Sequence, residues 1–322
     1  MAEEKKIPKF SDLPLDKNGP HHNAWGLYGP KDQLGTLNRL TSPLVASTAH
    51  AEIQTGTRIN LDWPLDAQHD LPFFGRQAFH KQVYQKKPRV VNDDVWTFNT
   101  QSSSQWDGLR HFGYQKEQVF YGGVTLEDIH GEEGGSDVLG IGAWAEKGLV
   151  GRGVLLDYHA WRTRKGMQHA AFETKGITVD ELKAVAEEQG TEIKFGDVLL
   201  IRSGYMVEYN GLSREKIDSL RQQQPLKFAG VEQSEAMLEF LWENFAAAGG
   251  DHPSFEAWPT QKEYALHEVM LAGWGMPIGE LFDLEALAAE CQRVGRWSFF
   301  LTSKVCNVPG GVASPPNALA IF

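Results

Sequence analysis

The order of hydrophobic and polar positions along the chain predicts strands that alternate with helices. Short apolar runs typical of buried strands occur at 151–157, 196–204 and 298–303. Apolar residues at helical spacing occur within 231–247, and start and stop residues predict further helices over 41–53 and 178–190. No internal repeat is visible. The pattern predicts an α/β fold: one domain with a central mixed β-sheet or barrel-like core flanked by helices.

Capping residues predict where several helices begin. The segment 41–53 opens with Thr-Ser-Pro, and the segment 178–190 opens with the capping box Thr-Val-Asp-Glu. The segment 231–247 is followed by a Gly-Gly pair, which predicts its end. The box Thr-Gln-Lys-Glu at 260–263 predicts one more helix, which would carry His267.

The first 45 residues differ in composition from the rest of the chain. They are rich in Pro, Gly and Asn, yet they contain Trp25, Leu27 and Leu34, which would be costly to leave in water. We therefore predict an irregular N-terminal arm, residues 1–45, that wraps a main domain formed by residues 46–322.

Composition and charge argue against several classes of protein. The formal net charge of −11 over 322 residues disfavours nucleic acid or an anionic membrane as a partner. The N-terminus lacks the apolar region of a secretory signal, and no window has the length of a membrane span. Cys291 and Cys306 have no metal-type spacing. We expect a cytoplasmic protein whose partner is a small molecule.

Residues 101–112, Gln-Ser-Ser-Ser-Gln-Trp-Asp-Gly-Leu-Arg-His-Phe, concentrate polar chemistry in one segment. In an extended strand the odd-numbered residues share one face. Amide, hydroxyl, carboxylate and imidazole groups on one face are typical of a polar pocket, and such a pocket suits a metal ion. A solvated strand edge or loop is the alternative. An extended strand would also place His111 about 13 Å from Asp107, unless Gly108 bends the chain.

A second polar pair follows much later in the chain. His267 lies on the predicted helix, and Glu280 follows after Gly273, Gly275 and Gly279, which predict a sharp turn between the two. Their side chains can therefore converge. A buried histidine is more often a core residue than a ligand, but Glu280 between apolar neighbours requires a partner charge or a cation.

These segments together resemble the metal-dependent cyclase family, which includes bacterial kynurenine formamidases and isatin hydrolases. Segment 101–112 resembles a divergent form of the family signature His-x-Gly-Thr-His-x-Asp-x-Pro-x-His-Phe. Segments 25–38, 151–157 and 196–204 resemble the family's opening and inner strands, and the pair His267 and Glu280 resembles its C-terminal ligand pair. The resemblance covers roughly residues 20–315.

Two departures from the signature affect the expected metal site. Gln101 and Gln105 stand where the family has its first two histidines, a variant that resembles the branch containing trans-dienelactone hydrolase. The resemblance then implies one divalent ion, Mn²⁺ or Zn²⁺, in an oxygen-rich site. The implied ligands are Gln105, Asp107, His267 and Glu280.

The resemblance also implies an activity and an assembly. The activity would be hydrolysis of a cyclic ester or an amide by a metal-activated water, with His111 as general acid/base. His252 would contact the substrate, and the protein would be a homodimer or a higher homo-oligomer. Gln101, which is neutral, is expected to contact the substrate or to support a ligand, and Trp106 to form an apolar wall of the substrate pocket. The alternative is a family member that binds a small molecule without turnover. A serine hydrolase is disfavoured because Gly-x-Ser-x-Gly is absent.

Overall fold

The computed structural model describes residues 7–131, 135–168 and 170–322. Within these residues the strands are β1 (Arg58–Asn60), β2 (His80–Gln85), β3 (Asn92–Thr97), β4 (Gln105–Asp107), β5 (Leu149–Leu156), β6 (Gly176–Ile177), β7 (Asp197–Ile201), β8 (Gly230–Val231), β9 (Phe245–Gly250), β10 (Ile278–Glu280), β11 (Ser298–Ser303), β12 (Ala313–Ser314) and β13 (Ala318–Ile321). The α-helices are α1 (Ser42–Glu52), α2 (Leu126–His130), α3 (Gly142–Ala145), α4 (Tyr158–Arg164), α5 (Val179–Gln189), α6 (Tyr205–Asn210), α7 (Arg214–Gln222), α8 (Glu235–Asn244) and α9 (Glu285–Val294).

A nine-stranded mixed sheet with helices packed against it forms the body, in the order β1-β13-β11-β5-β7-β9-β10-β4-β12. Strands β5, β7, β9 and β10 run parallel to their neighbours in this series, and the pairs on either side are antiparallel. The buried apolar residues pack on both faces of the sheet. This architecture confirms the predicted α/β fold with a central mixed sheet.

Several predicted elements are present with bounds close to those expected. Thr41 caps α1, since its hydroxyl accepts from the backbone N–H of Leu44. Thr178 and Glu181 form the predicted capping box of α5, which ends at Gly190 in the left-handed region. The three apolar runs form β5, β7 and β11.

Two predicted helices are wrong in extent because tertiary packing overrides local pattern. The helix expected over 231–247 is α8, and its last predicted residues lie in β9. Gly249 allows β9 to pair closely with β10, because a Cβ there would lie 2.8 Å from Gly279. The box at 260–263 caps nothing; the helical backbone begins after Ala265, whose N–H donates to the Glu268 carboxylate at 3.0 Å.

The described part of the N-terminal segment, from residue 7 onward, packs on the body. Trp25 donates its indole N–H to the Ala272 carbonyl at 2.7 Å. The Thr36 hydroxyl donates to the Ala246 carbonyl at 2.7 Å. The end of the arm at residue 45 remains a prediction.

Strands β2 and β3 form a separate hairpin, and nearly all of their residues are exposed. We call residues 80–97 the exposed hairpin. In the part of the chain that the structure describes, no helix combines the length and apolar character needed to cross a membrane.

Candidate active site

The antiparallel pairing of β4 with β10 sets the floor of the candidate site. Gln105 lies opposite Glu280 in the register, and Asp107 lies opposite Ile278. Alternation along β4 directs Gln105 and Asp107 to one face. The Gln105 amide N–H donates to Glu280 Oε2 at 2.8 Å. A buried hydrogen bond thereby joins Gln105 and Glu280, which are separated by 175 positions in the sequence.

A turn after β4, rather than a continuous strand, brings His111 back to Asp107. The His111 backbone N–H donates to the Gly108 carbonyl at 2.9 Å. His111 Nε2 then lies 3.8 Å from Asp107 Oδ2. A Cβ at position 108 would lie 2.6 Å from the Val312 carbonyl oxygen, so the turn requires glycine. Of the two alternatives that the sequence leaves open, the chain adopts the bend at Gly108 and not an extended strand through residue 111.

Gln101 reaches the same cluster from the chain that precedes β4. Its side-chain N–H donates to Asp107 Oδ1 at 2.7 Å and lies 3.2 Å from His111 Nδ1. Gln101 lies outside any strand, so its position depends on local turns, not on alternation.

His267 completes the cluster and lies directly before a π-helix, Glu268–Trp274. Its Nδ1 lies 2.5 Å from Glu256 Oε2, and its Nε2 lies 3.2 Å from Glu280 Oε1. Nε2 is also 3.9 Å from Asp107 Oδ2. Because Glu256 fixes Nδ1, the imidazole presents Nε2 to the two carboxylates of the floor.

The charges of the cluster shift its pKa values in opposite directions. Burial alone would lower the pKa of His267, but the carboxylates of Glu256 and Glu280 outweigh burial and raise it well above the usual value. Burial and the nearby Asp107 charge raise the pKa of Glu280. Burial lowers the pKa of His111, although Asp107 opposes this effect. The floor therefore favours a positive charge at His267, whereas His111 favours the neutral form.

The donor atoms of the cluster fit a divalent cation. Asp107 Oδ2 and Gln105 Oε1 are buried and have no hydrogen-bond partner among the described residues. Asp107, His111 and His267 each place one ligand atom within 4.8 Å of the others. Without an ion, a proton on His267 Nε2 satisfies the Glu280 carboxylate at 3.2 Å. A divalent cation could take the place of this proton, because the deprotonated imidazole nitrogen and the carboxylate oxygen are both metal ligands.

A cavity of about 180 Å³ opens above this floor. It is below the range of roughly 300–1,000 Å³ usual for drug-sized ligands, so it suits a small molecule. The lining residues are Phe74, Arg76, His111, Phe112, Pro253, Ser254, Glu256, Trp258, Ala265, His267 and Glu280.

None of the three sequence-predicted substrate residues is among the lining residues, although Gln101 contacts His111, which is one of them. Trp106 is on the opposite face of β4, fully buried against Phe282, and donates to the Ser303 hydroxyl at 2.9 Å. His252 is also fully buried, packs against Phe255 and does not line the cavity, although the next two residues do. Strand alternation directs Trp106 into the interior, and His252 is buried beyond the end of β9, so the geometry does not support the expected substrate contact of either residue.

Two residues of the site were missed in the sequence. Glu256 lies between Phe255 and Ala257, so the rule applied to Glu280, that a carboxylate among apolar neighbours requires a partner, would have identified it. Arg76 follows an aromatic pair in an irregular segment, and no spacing links it to the cluster.

The fold and this cluster define a class: an α/β protein with a buried set of carboxylates and imidazoles that could bind a metal beneath a small cavity. The chain belongs to the cyclase family, since the family model described as putative cyclase matches residues 38–257. None of the curated proteins compared with the chain matches it significantly.

Solved structures agree with this assignment. A crystal structure described as a novel cyclase is 28% identical, with a TM-score of 0.82, over 93% of this chain and 99% of that chain. Isatin hydrolase A from Ralstonia solanacearum is 16% identical, with a TM-score of 0.57, over 87% of this chain and 96% of that chain. Isatin hydrolase A from Labrenzia aggregata is 15% identical, with a TM-score of 0.55, over 88% of this chain and 98% of that chain. The two isatin hydrolases share the fold.

Proposed function

We propose that the protein is a metal-dependent hydrolase that cleaves a cyclic ester or an amide of small size. The observation that carries the proposal is the arrangement of His267, whose Nδ1 is bonded to Glu256 while its Nε2 faces the buried carboxylates of Asp107 and Glu280. An imidazole held by a carboxylate and directed at further anionic oxygens is typical of metal ligation. The fold shared with isatin hydrolases supports the reaction class.

The proposed ligands are Asp107, His267 and Glu280, with Gln105 as a weaker one. Three oxygen donors and one nitrogen suit Mn²⁺ at least as well as Zn²⁺. A bound divalent ion would supply Lewis-acid chemistry, lowering the pKa of water and polarising the substrate carbonyl.

His111 is proposed as the general acid/base. It lines the cavity, and its neutral form accepts a proton from water and returns it to the leaving group. Gln101 donates a hydrogen bond to Asp107 and lies beside His111, so it fixes the positions of these two side chains relative to each other. The apolar rings of Phe112 and Trp258 exclude bulk water from the reacting groups.

Binding without turnover is the second candidate, and one observation favours it. The amide N–H groups of Gln101 and Gln105 satisfy one oxygen each of Asp107 and Glu280, so part of the anionic cluster is stabilised by the chain's own residues. In this role the cavity would hold a small ligand, and the polar cluster would form part of the cavity's floor without taking part in a reaction.

An assay of hydrolysis separates the two candidates. The protein is offered a panel of small lactones and anilides as purified, after chelation, and after addition of Mn²⁺ or Zn²⁺. The hydrolase proposal expects turnover that chelation abolishes and one of the ions restores. Turnover that survives complete metal removal would refute metal dependence, and binding of panel members without turnover at any metal loading would favour the second candidate.

A further inference from the structure

We propose that the cavity selects substrates that carry a carboxylate group, which the guanidinium of Arg76 binds at the cavity wall. This inference rests on the proposed function, because it names the substrate class of the same site. The substrate would be a small ring or planar apolar molecule that carries an anionic group at one end and the scissile carbonyl at the other.

Arg76 has hydrogen-bonding capacity to spare. It lines the cavity and is half-buried, and its Nη1 donates to the Gln101 carbonyl at 2.8 Å. Its Cζ lies 5.1 Å from the centre of the Phe74 ring. Across the residues that the structure describes, the guanidinium forms no ion pair with a carboxylate. A guanidinium has five N–H donors, so most of them are available to a ligand.

The wall and the floor of the cavity carry opposite charges. Three buried carboxylates lie at this end of the cavity: Asp107 and Glu280 on the floor, and Glu256 behind His267. Arg76 is the only Lys or Arg among the described lining residues. The three carboxylates outnumber the two charges of a divalent ion, so an anionic group would still meet net negative charge at the floor, whereas at the wall it would meet a cation without an ion-pair partner. A substrate with one carboxylate is therefore held in one orientation, with its other end toward His111 and His267.

The apolar walls and the size of the cavity limit the rest of the substrate. Phe74, Phe112 and Trp258 supply aromatic surface in a volume of about 180 Å³. Phe74 has φ of 63°, a left-handed conformation that is unfavourable for a non-glycine residue. Such strain at a wall residue next to Arg76 is typical of a binding site, where the surrounding structure holds a side chain in place.

A purely structural role for Arg76 makes a different prediction. If the guanidinium only supports Gln101 and packs on Phe74, its removal will affect charged and neutral ligands alike. If it binds a carboxylate, removal will weaken the charged ligand alone. Benzoate and benzamide provide this comparison, since they share a ring and nearly the same shape but differ in charge.

The experiment measures binding of both compounds by calorimetry or ligand-observed NMR, using the full-length protein as purified. The variants are Arg76→Gln, which removes the charge, and Arg76→Lys, which keeps the charge but loses the planar fork. Arg58→Gln is the matched control, because Arg58 is exposed on β1 at the far edge of the sheet and carries the same charge. Circular dichroism confirms that each variant is folded.

We expect the wild type to bind benzoate at least about tenfold more tightly than benzamide. Arg76→Gln should weaken benzoate binding about 10- to 100-fold, as expected for loss of a charge-assisted hydrogen bond, and leave benzamide within about twofold. Arg76→Lys should give an intermediate loss and Arg58→Gln none. Equal weakening of both ligands, or no benzoate binding to the wild type at about 10 mM, would overturn the inference.

The two proposals fail in different ways. Benzoate binding that does not depend on Arg76, in protein with its metal intact, would overturn the carboxylate subsite and leave the hydrolase proposal standing. Arg76-dependent selectivity in protein that neither holds metal nor hydrolyses substrate would leave the subsite standing and remove the hydrolase proposal.

Discussion

At the scale of single residues, the two histidines of the cluster differ in how firmly they are held. His267 is fixed at Nδ1 by Glu256 and faces Glu280 with Nε2. His111 contacts the amide of Gln101, lies 3.8 Å from Asp107, and is open to the cavity. The first environment suits a ligand, which requires a fixed lone pair, and the second suits a group that exchanges protons with substrate.

The proposed division of roles predicts that His111→Ala keeps its fold and its metal but loses activity. The expected loss in turnover is about 10²- to 10⁴-fold, the usual range for removal of a general acid/base. Metal content and steady-state rates are measured on the same preparation, and His50→Ala, on the surface helix α1, is the control. His111 lies within ligand reach of Asp107 and His267. Complete loss of metal from His111→Ala would therefore make it a ligand and exclude the proposed role.

At the scale of elements, the site depends on the close approach of β4 and β10. Gly279 lies opposite Trp106 in the register, and a Cβ there would lie 2.8 Å from the Trp106 ring and 2.6 Å from the Phe282 ring. Any side chain at this position must displace an aromatic ring or separate the strands. The bonds between Gln105 and Glu280 span this same strand pair.

Gly279→Ala is therefore expected to destabilise the protein by about 1–3 kcal/mol through overpacking, and to weaken metal binding through the shifted strands. Urea unfolding and metal titration measure the two effects. Gly211→Ala is the matched control, because Gly211 has φ of −85° and its Cβ would meet nothing closer than 3.5 Å. A Gly279→Ala protein as stable as the wild type would show that the strand approach tolerates a side chain.

The elements that the sequence predicts well are those with local signals. The capping box at Thr178 specifies where α5 begins without reference to the rest of the molecule. The convergence of His267 and Glu280 was also predictable, because the glycines between them require a turn. The turn at Gly108 was visible only as a possibility, since its cause is the approach of the Val312 carbonyl.

Other features depend on distant parts of the chain. The end of α8 gives way to β9 because residues 245–250 pair with β7 and β10, and nothing within the segment itself requires a strand. Arg76 reaches the cavity from an irregular segment whose place is set by contacts with Phe228 and Trp258 through Phe74. Such placements follow from tertiary packing, and a single sequence does not encode them locally.

At the scale of the whole molecule, the exposed hairpin is the surface that best fits assembly. Val83 is 60% exposed and Trp96 is 55% exposed, and they lie on one face of the hairpin. Residues 80–97 carry four Lys or Arg and two Asp, a net charge of +2, which leaves −13 for the rest of the chain. A cationic hairpin with apolar side chains complements the acidic body of a second copy. The N-terminal arm is less suited to such a contact, because Trp25, its large aromatic residue, donates its indole N–H within its own chain.

We therefore keep the prediction of a homo-oligomer, most simply a dimer, and assign the contact to the exposed hairpin. Sedimentation at micromolar concentration should show a mass about twice the 35.9 kDa of one chain. Val83→Asp should shift the equilibrium toward the monomer, because a carboxylate would be buried in the contact. Val308→Asp, at an exposed valine outside the hairpin, is the control. A single species near the monomer mass in the wild type would refute the assembly.

The central claim is that the buried cluster binds one divalent ion, and metal content measures it most directly. Protein purified without chelator is analysed by mass spectrometry of its metals, as wild type, Asp107→Ala and His267→Ala. Asp70→Ala is the control, since its carboxylate is 87% exposed. We predict about one ion per chain in the wild type and the control, and loss of most of it in both site variants, because each removes a principal ligand. Unchanged metal content in both site variants would contradict the account.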